Sequence, residues 1–577
     1  MRLLILISTF FVLRGLPAQE MVHKTTPFEN NDNRTATYDE AIRYYQNLAD
    51  HHATVNMVKE GLTDSGKPLH TVIISEKPVL NRQEAEKDNK AILLINNAIH
   101  AGEPCGVDAS MLLARELATT HRELLQEVVV VIIPFYNIGG VLNRNSHTRA
   151  NQNGPESYGF RGNARNYDLN RDFIKCDTEN ARSFAKLYQK WTPDVFIDNH
   201  TSNGADYQYT LTLIPTQSNK LASPMQQYMD DTLLPSLYAE MKKTDWEMTP
   251  YVYAPSTPDK GIISFLDSPR YSSGYASLHF AYSFMPETHM LKPFADRVRS
   301  THTLLHTMLR HINANKTEIL ESRKKALQEI QNSKTLSVDW SLDRSKHDSL
   351  FFKGYTPTMI PSKVTGGERL YYDHDKPFEK NISFHRYYKA KQEVDIPEAY
   401  VLPQSYKHLA DLMRMHGVEI ETLQSDKVLS VDQYKILDLK IGNTPYEGHY
   451  LHSDVIVEKN STQVEYKKGD FIISTNQDAI QYIVHVLEPQ AKDSFFAWNY
   501  FDSILQQKEH FSAYVFEDRA YELLQSDAEL KKAFEDKKEN DPDFAKDSNA
   551  QLDYIYHHSP HYEKTHRVYP VGRKLAK

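Results

Sequence analysis

The sequence predicts an open α/β sheet covered by helices on both faces, followed by a second, mixed α/β domain. Three observations carry this. Residues 91–95, 128–134 and 195–197 are continuous apolar runs, the pattern of strands buried on both faces. Helical periodicities lie between the runs, so that about eight strands alternate with helices. Beyond about residue 335 the composition shifts toward Tyr, Phe, Thr and Gly. The expected division is therefore a leader at 1–18, a first domain at 20–335 and a second at 336–577.

The leader rests on Met1-Arg2, the apolar stretch 3–13 and Leu16-Pro17-Ala18. A short positive start, about 11 apolar residues and a small terminal residue read as a secretory signal, so the protein is expected to be exported, periplasmic or secreted. Next, apolar and aromatic residues recur at helical spacing over 38–50, behind Thr35 or Thr37 as a cap. Residues 55–58 and 69–74 read as strands around the Asp64-Ser65-Gly66 turn. A helix is expected over 107–118, strands over 209–214 and 281–285, and a long amphipathic helix or helix pair from Leu304 to Ile330. In the second half, 351–391 reads as short strands and turns. A strand–helix–strand unit spans 399–403, 406–415 and 417–420. Strands near 434–439, 454–457 and 471–474 and helices near 479–487 and 527–535 follow, with 531–546 a solvated helix and loop.

Composition excludes several functions. Net charge is −9, which argues against a general nucleic-acid binder. No apolar run reaches the ~18–20 residues of a membrane span. Cys105 and Cys176 are the only cysteines, so neither a disulfide framework nor a cysteine-built zinc site can form, though one disulfide is permitted after export.

Four His-x-x-acid pairs occur, and 26 His with 76 acidic residues in 577 give about three by chance. Context separates them. His408 and His485 fall inside amphipathic helices, and His416 precedes the helix-ending Gly417, so these are structural. His100 and Glu103 instead follow the buried strand 91–95, with Gly102 in a turn and Pro104 opening a helix. That is the rim of a sheet, where α/β proteins bind ligands. His200 follows strand 195–197 in Asp198-Asn199-His200. Two imidazoles and one carboxylate at one sheet edge make a catalytic zinc set with a fourth position for water. Asn170 and Arg171 follow Asp168, and an Asn-Arg pair suits a carboxylate. Glu287 emerges from an apolar strand, where burying a carboxylate is costly without a function or partner. His557, His558, His561 and His566 cluster near the C-terminus and are not expected to bind a metal.

The ordered set His100-x-x-Glu103, Asp168-x-Asn170-Arg171, Asn199-His200 and Glu287 resembles the zinc carboxypeptidases of the carboxypeptidase A type over roughly residues 37–311. The resemblance implies a three-layer α/β/α fold with a mixed eight-stranded sheet. It implies one zinc per chain on His100, Glu103 and His200, a zinc-activated water, and Glu287 as general base and later proton donor. Asn170 and Arg171 would hold the substrate's terminal carboxylate and Asp168 would orient His100. Arg149 best matches the family's carbonyl-polarising Arg, with Arg144 and Arg161 as rivals. Tyr271 and Tyr275 compete as the substrate-capping Tyr. Gly102 stands where some members carry a substrate-binding Arg. The implied partner is a peptide or protein with a free C-terminus. The same core also serves hydrolysis of non-standard amides, such as peptidoglycan peptides or N-acyl amino acids, or a peptide binder without catalysis. The second domain shows no catalytic set.

Overall fold

The structure, a computed structural model, describes residues 25–574. The expected secretory signal lies outside the described residues. They divide into two compact units. The first comprises the chain to Ser333 with Trp340–Lys391 and Met415–Gly417; the second comprises Lys334–Asp339, Gln392–Arg414 and the chain from Val418 onward.

The first unit is built on one mixed sheet. Its strands are β1 (Val55–Leu62), β2 (Pro68–Ile74), β3 (Ala91–Asn96), β4 (Val128–Ile133), β5 (Val195–Asp198), β6 (His200–Ser202), β7 (Leu211–Pro215) and β8 (Met248–Pro250); after β9 (Ile262–Ile263), which joins another sheet, β10 (Tyr282–His289) completes it. The spatial order is β1-β2-β4-β3-β5-β10-β7-β8, the expected eight strands, with the short β6 added beside β10. The central pairs β3/β4, β3/β5 and β5/β10 are parallel, whereas β1/β2, β2/β4 and β10/β7 are antiparallel. Every residue of β3 and β4 is buried, so both sheet faces are covered, as their unbroken apolar runs require.

The helices expected from the sequence form, while others, such as Glu179–Trp191, had no sequence reading. Tyr38–His51 starts at Thr37, whose side chain and Glu40 form a reciprocal capping box, while Thr35 bonds the buried Asp108 instead. The long amphipathic stretch is one helix, Phe294–Gln331, with non-helical geometry at Asn315.

The expected boundary at 335/336 differs from the division found. Residues 340–391 fold with the first unit, and 351–391 is no series of short strands. Asp348–Pro361 and Glu368–His385 form a long antiparallel hairpin whose far end, Phe384, pairs with Ile262 of β9. The cause is a tertiary contact. Phe352 and Ile382 are buried against Tyr207, Tyr209, Val252 and Ile262, all at least 90 residues away in sequence.

The second unit carries a six-stranded sheet in the order Glu421–Thr422, Phe471–Ser474, Ala399–Leu402, Gly572–Lys574, Lys427–Ile441 and His452–Tyr466. The strand expected at 417–420 does not form, because Gly417 turns the chain at φ +84° and Gln477, a side chain, takes the Glu419 N–H. Residues 531–546 are solvated on one face only, since Phe534 and Phe544 are buried among Phe516, Leu552 and Ile555.

Arg573, on the short strand Gly572–Lys574, lies buried with Nε 2.8 Å from Oε1 of Glu488, an oxygen that also accepts the Tyr400 hydroxyl at 2.6 Å. Arg573→Ala should leave a buried carboxylate without its cation and lower unfolding free energy by about 3–5 kcal/mol. Urea unfolding of the full chain checks this; a loss under about 1 kcal/mol would mean that Glu488 is solvated or protonated without Arg573.

Candidate active site

Strand order builds the site. β3 and β5 are adjacent and parallel, with Asn96 opposite Asp198, so the segments that leave them bring His100 and His200 to one sheet edge. Ala98, at φ +56°, bends the chain after β3, and the Glu103 N–H closes a turn on the His100 carbonyl at 2.9 Å. β6 lies parallel to β10 with His200 opposite Glu287, which sets the two side by side.

Glu103 stands between the imidazoles. Nδ1 of His100 is 3.3 Å from its Oε1 and Nδ1 of His200 is 3.2 Å from its Oε2. Nδ1 of His100 is buried and without a hydrogen-bond partner. The outer nitrogens are each held by a carboxylate: Nε2 of His100 is 2.9 Å from Asp168 Oδ1, and Nε2 of His200 is 3.0 Å from Asp198 Oδ2. Both rings therefore direct the same nitrogen inward at one carboxylate, and all three ligand atoms lie within 4.8 Å of one another. Two imidazoles and a carboxylate with carboxylates behind the rings fit a zinc ion.

The charges agree. Against burial, which favours neutrality, the charges of His100 and Arg149 hold Glu103 well below the usual carboxylate range. Burial would lower His200, but Asp198, Glu103 and Glu287 outweigh it and hold the ring protonated well above its ordinary value. Protons thus balance the carboxylates where a dication would otherwise do so. Burial, with the Glu103 charge, lifts Glu287 to about 8, although His200 and Arg161 oppose the shift.

The residues singled out in the sequence do not all converge. His100, Glu103, Arg149, Asn170, Arg171, His200, Tyr271 and Glu287 line one cavity of about 340 Å³. Arg149 donates from Nη1 to Glu103 Oε1 at 2.9 Å. Its path explains Gly102: a Cβ there would lie 2.6 Å from Arg149 Cδ, so a larger residue would push Arg149 aside. Of its rivals, Arg161 also lines the cavity, 3.7 Å from Glu103 and gripping Asp168 with Nε and Nη2 at 3.1 and 2.8 Å. Arg144 instead bonds the carbonyls of Ser157 and Ala36.

Asp168 serves several partners. Besides His100 and Arg161, its Oδ1 accepts the Asn170 N–H at 2.9 Å, and Arg171 lies 3.8 Å from Oδ2. Arg171 stacks on Tyr271, its guanidinium carbon 4.5 Å from the ring centroid. The Asn170 side-chain oxygen accepts the Ser272 N–H at 2.9 Å, which fixes the residue next to Tyr271.

Tyr275 is the correction. It is fully buried, stacked on Phe173 and bonded through its hydroxyl to His416 Nδ1 at 2.8 Å, so it cannot cap a substrate. Tyr271 is the extended N-cap residue, at φ −86° and ψ 154°, and stays at the cavity, whereas Tyr275 lies within the helix Ser272–Ser277 that packs into the core. Cys105 and Cys176 are both buried free thiols, not a disulfide. Two residues of the site carry no role from sequence. Asp198 could have been found, two positions before His200 along an extended strand. Tyr251, on the cavity wall after β8, is one of 35 tyrosines and has no local signal.

Residues 41–227 match the model of a family described as zinc carboxypeptidase. That stretch contains the three candidate ligands, Arg149, Asp168, Asn170 and Arg171, and ends before Tyr271 and Glu287. Carboxypeptidase 2 of Trichophyton tonsurans is 21% identical over 433 residues, covering 71% of this chain and 74% of the relative. Carboxypeptidase 2 of Trichophyton rubrum is 20% identical over 432 residues, covering the same shares. Among solved structures, a metallo-carboxypeptidase from Burkholderia cenocepacia is similar at 16% identity and TM-score 0.37, covering 48% of this chain and 70% of that one. Carboxypeptidase A from Helicoverpa armigera is similar at 14% identity and TM-score 0.36, covering 51% and 75%.

Proposed function

We propose that this chain is a peptidase of the zinc carboxypeptidase kind, whose family model its residues 41–227 match, and that it hydrolyses the C-terminal bond of peptides with Glu287 as its proton carrier. The observation that carries this reading is one cavity holding Glu103 between two imidazole Nδ1 atoms, Glu287 beside them and Arg171 on the same wall. His100, Glu103 and His200 would hold one zinc. A bound zinc supplies Lewis acidity there, polarising a carbonyl and making a water acidic.

The chain's own residues do the rest. Arg171, stacked on Tyr271, pairs with the substrate's terminal carboxylate, while Asn170 anchors the backbone that carries Tyr271. Arg149, whose Nη1 reaches the Glu103 carboxylate, places a cation where charge builds on the scissile carbonyl oxygen. Glu287 takes the proton of the attacking water and delivers it to the leaving amine. Asp168 and Asp198 hold the imidazoles in the tautomer that leaves Nδ1 free. We place catalysis in the first unit and, from residues 1–18, export from the cytoplasm.

Release of amino acids from a panel of peptides, measured with zinc content, tests the reading. His200→Ala should lose catalytic zinc and hydrolysis together, because a set of three ligands cannot spare one. Hydrolysis at the unmutated rate in that variant would remove His200 from the site.

A further inference from the structure

A second group of metal-ligating side chains lies outside the catalytic cavity. His302 and His306 sit one turn apart on the helix Phe294–Gln331, and Glu116 faces them from the helix Cys105–Ala118. Both imidazoles present Nε2 to the same carboxylate oxygen. His302 is 2.9 Å and His306 2.6 Å from Glu116 Oε2, and the two ring centroids are 4.7 Å apart. We propose that Glu116, His302 and His306 form a second binding site for a divalent transition-metal ion of the zinc class, which ties these two helices together.

Chemistry and geometry support the assignment. Two imidazoles and a carboxylate are a donor set for zinc, nickel or copper rather than for calcium or magnesium, which take oxygen ligands. A tetrahedral ion with bonds of about 2.0–2.2 Å holds its donors about 3.3–3.5 Å apart. The two imidazole–carboxylate separations are hydrogen bonds, so each of these pairs would open by roughly half an ångström to one ångström, within reach of side-chain rotation. All three ligand atoms already lie within 4.8 Å of one another. Each Nε2 that donates to Glu116 would take up an ion with the ring's proton moved to Nδ1.

The site is also accessible. The side chains of His302 and Glu116 are 22% and 26% exposed, so water can fill a fourth position. A further donor stands close by, the His121 ring 5.4 Å from that of His306. The helix Cys105–Ala118 begins two residues after Glu103, so an ion here would brace the element that follows a catalytic ligand without touching the substrate.

Counting zinc tests the proposal independently of the catalytic reading. The full chain is stripped with a chelator, reloaded with zinc, dialysed and analysed for metal. The unmutated protein should hold two equivalents. His302→Ala and Glu116→Gln should each hold one, with peptide hydrolysis unchanged. His200→Ala should also hold one, having lost the other ion. A His200→Ala protein with no zinc, or a His302→Ala protein with as much zinc as the unmutated chain, overturns the second site. His302 is partly exposed on a helix surface, so its alanine variant keeps the test usable if Glu116→Gln does not fold.

Discussion

Replacing Glu287 by Gln should lower the rate of peptide hydrolysis by about 100- to 10,000-fold while zinc content and substrate binding stay near those of the unmutated protein. The substitution keeps size and hydrogen bonding but removes the proton acceptor, and a positioned general base contributes about that much. Glu287 is separate from the ligand set: it lies on β10, opposite His200 of β6, while Glu103 already occupies the space between the imidazoles. The pH dependence carries a second readout. Burial and the Glu103 charge raise Glu287, to about 8 with no dication present, and a bound dication lowers it by favouring the ionised form. As a base it must be ionised, so the rate should fall as pH drops through its pKa in the loaded enzyme. Glu287→Gln should lose that acid limb. Turnover within a few-fold of normal, or an unchanged acid limb, in a zinc-loaded variant would assign the proton transfer elsewhere.

Amidating the C-terminus of a good peptide substrate should slow hydrolysis by about 30-fold to several-thousand-fold. Loss of one partner from a desolvated charge pair costs about 2–5 kcal/mol, and each 1.4 kcal/mol is tenfold in rate constant. Arg171 is the guanidinium at issue, seated on Tyr271 and only 18% exposed. Asp168 remains 3.8 Å from it when the substrate lacks a carboxylate, so the effect should sit toward the lower end. Arg171→Ala should remove most of the difference between free-acid and amidated peptides. Equal hydrolysis of both by the unmutated enzyme would mean that the cavity does not read a terminal carboxylate, and the hydrolysis of non-standard amides would become the better reading.

The legible part of the molecule is the part ruled by local pattern. Strands β3, β4 and β5 are apolar up to the terminal Asn96 of β3 and Asp198 of β5, because a strand covered on both faces has no polar side. His100, Glu103 and His200 stand directly after two of those strands, so chain order alone places them at one edge once β3 and β5 are neighbours. Tyr271 and Tyr275, four residues apart, were not separable that way. The extended N-cap conformation of Tyr271 leaves it at the cavity, while Tyr275, inside the helix, packs in the core beside Phe173.

By itself, then, the sequence determined the α/β class, the positions along the chain of most of the main sheet's strands and the residue types of the candidate metal set, because burial periodicity and strand-end position are properties of short segments. The tertiary structure alone decided that residues 340–391 join the first unit, that Arg149 rather than Arg144 reaches Glu103, and that Glu116 meets His302 and His306. Each of these joins side chains across segments whose separation the local pattern does not encode. Such contacts are selected by how much apolar surface and charge the whole chain can bury together.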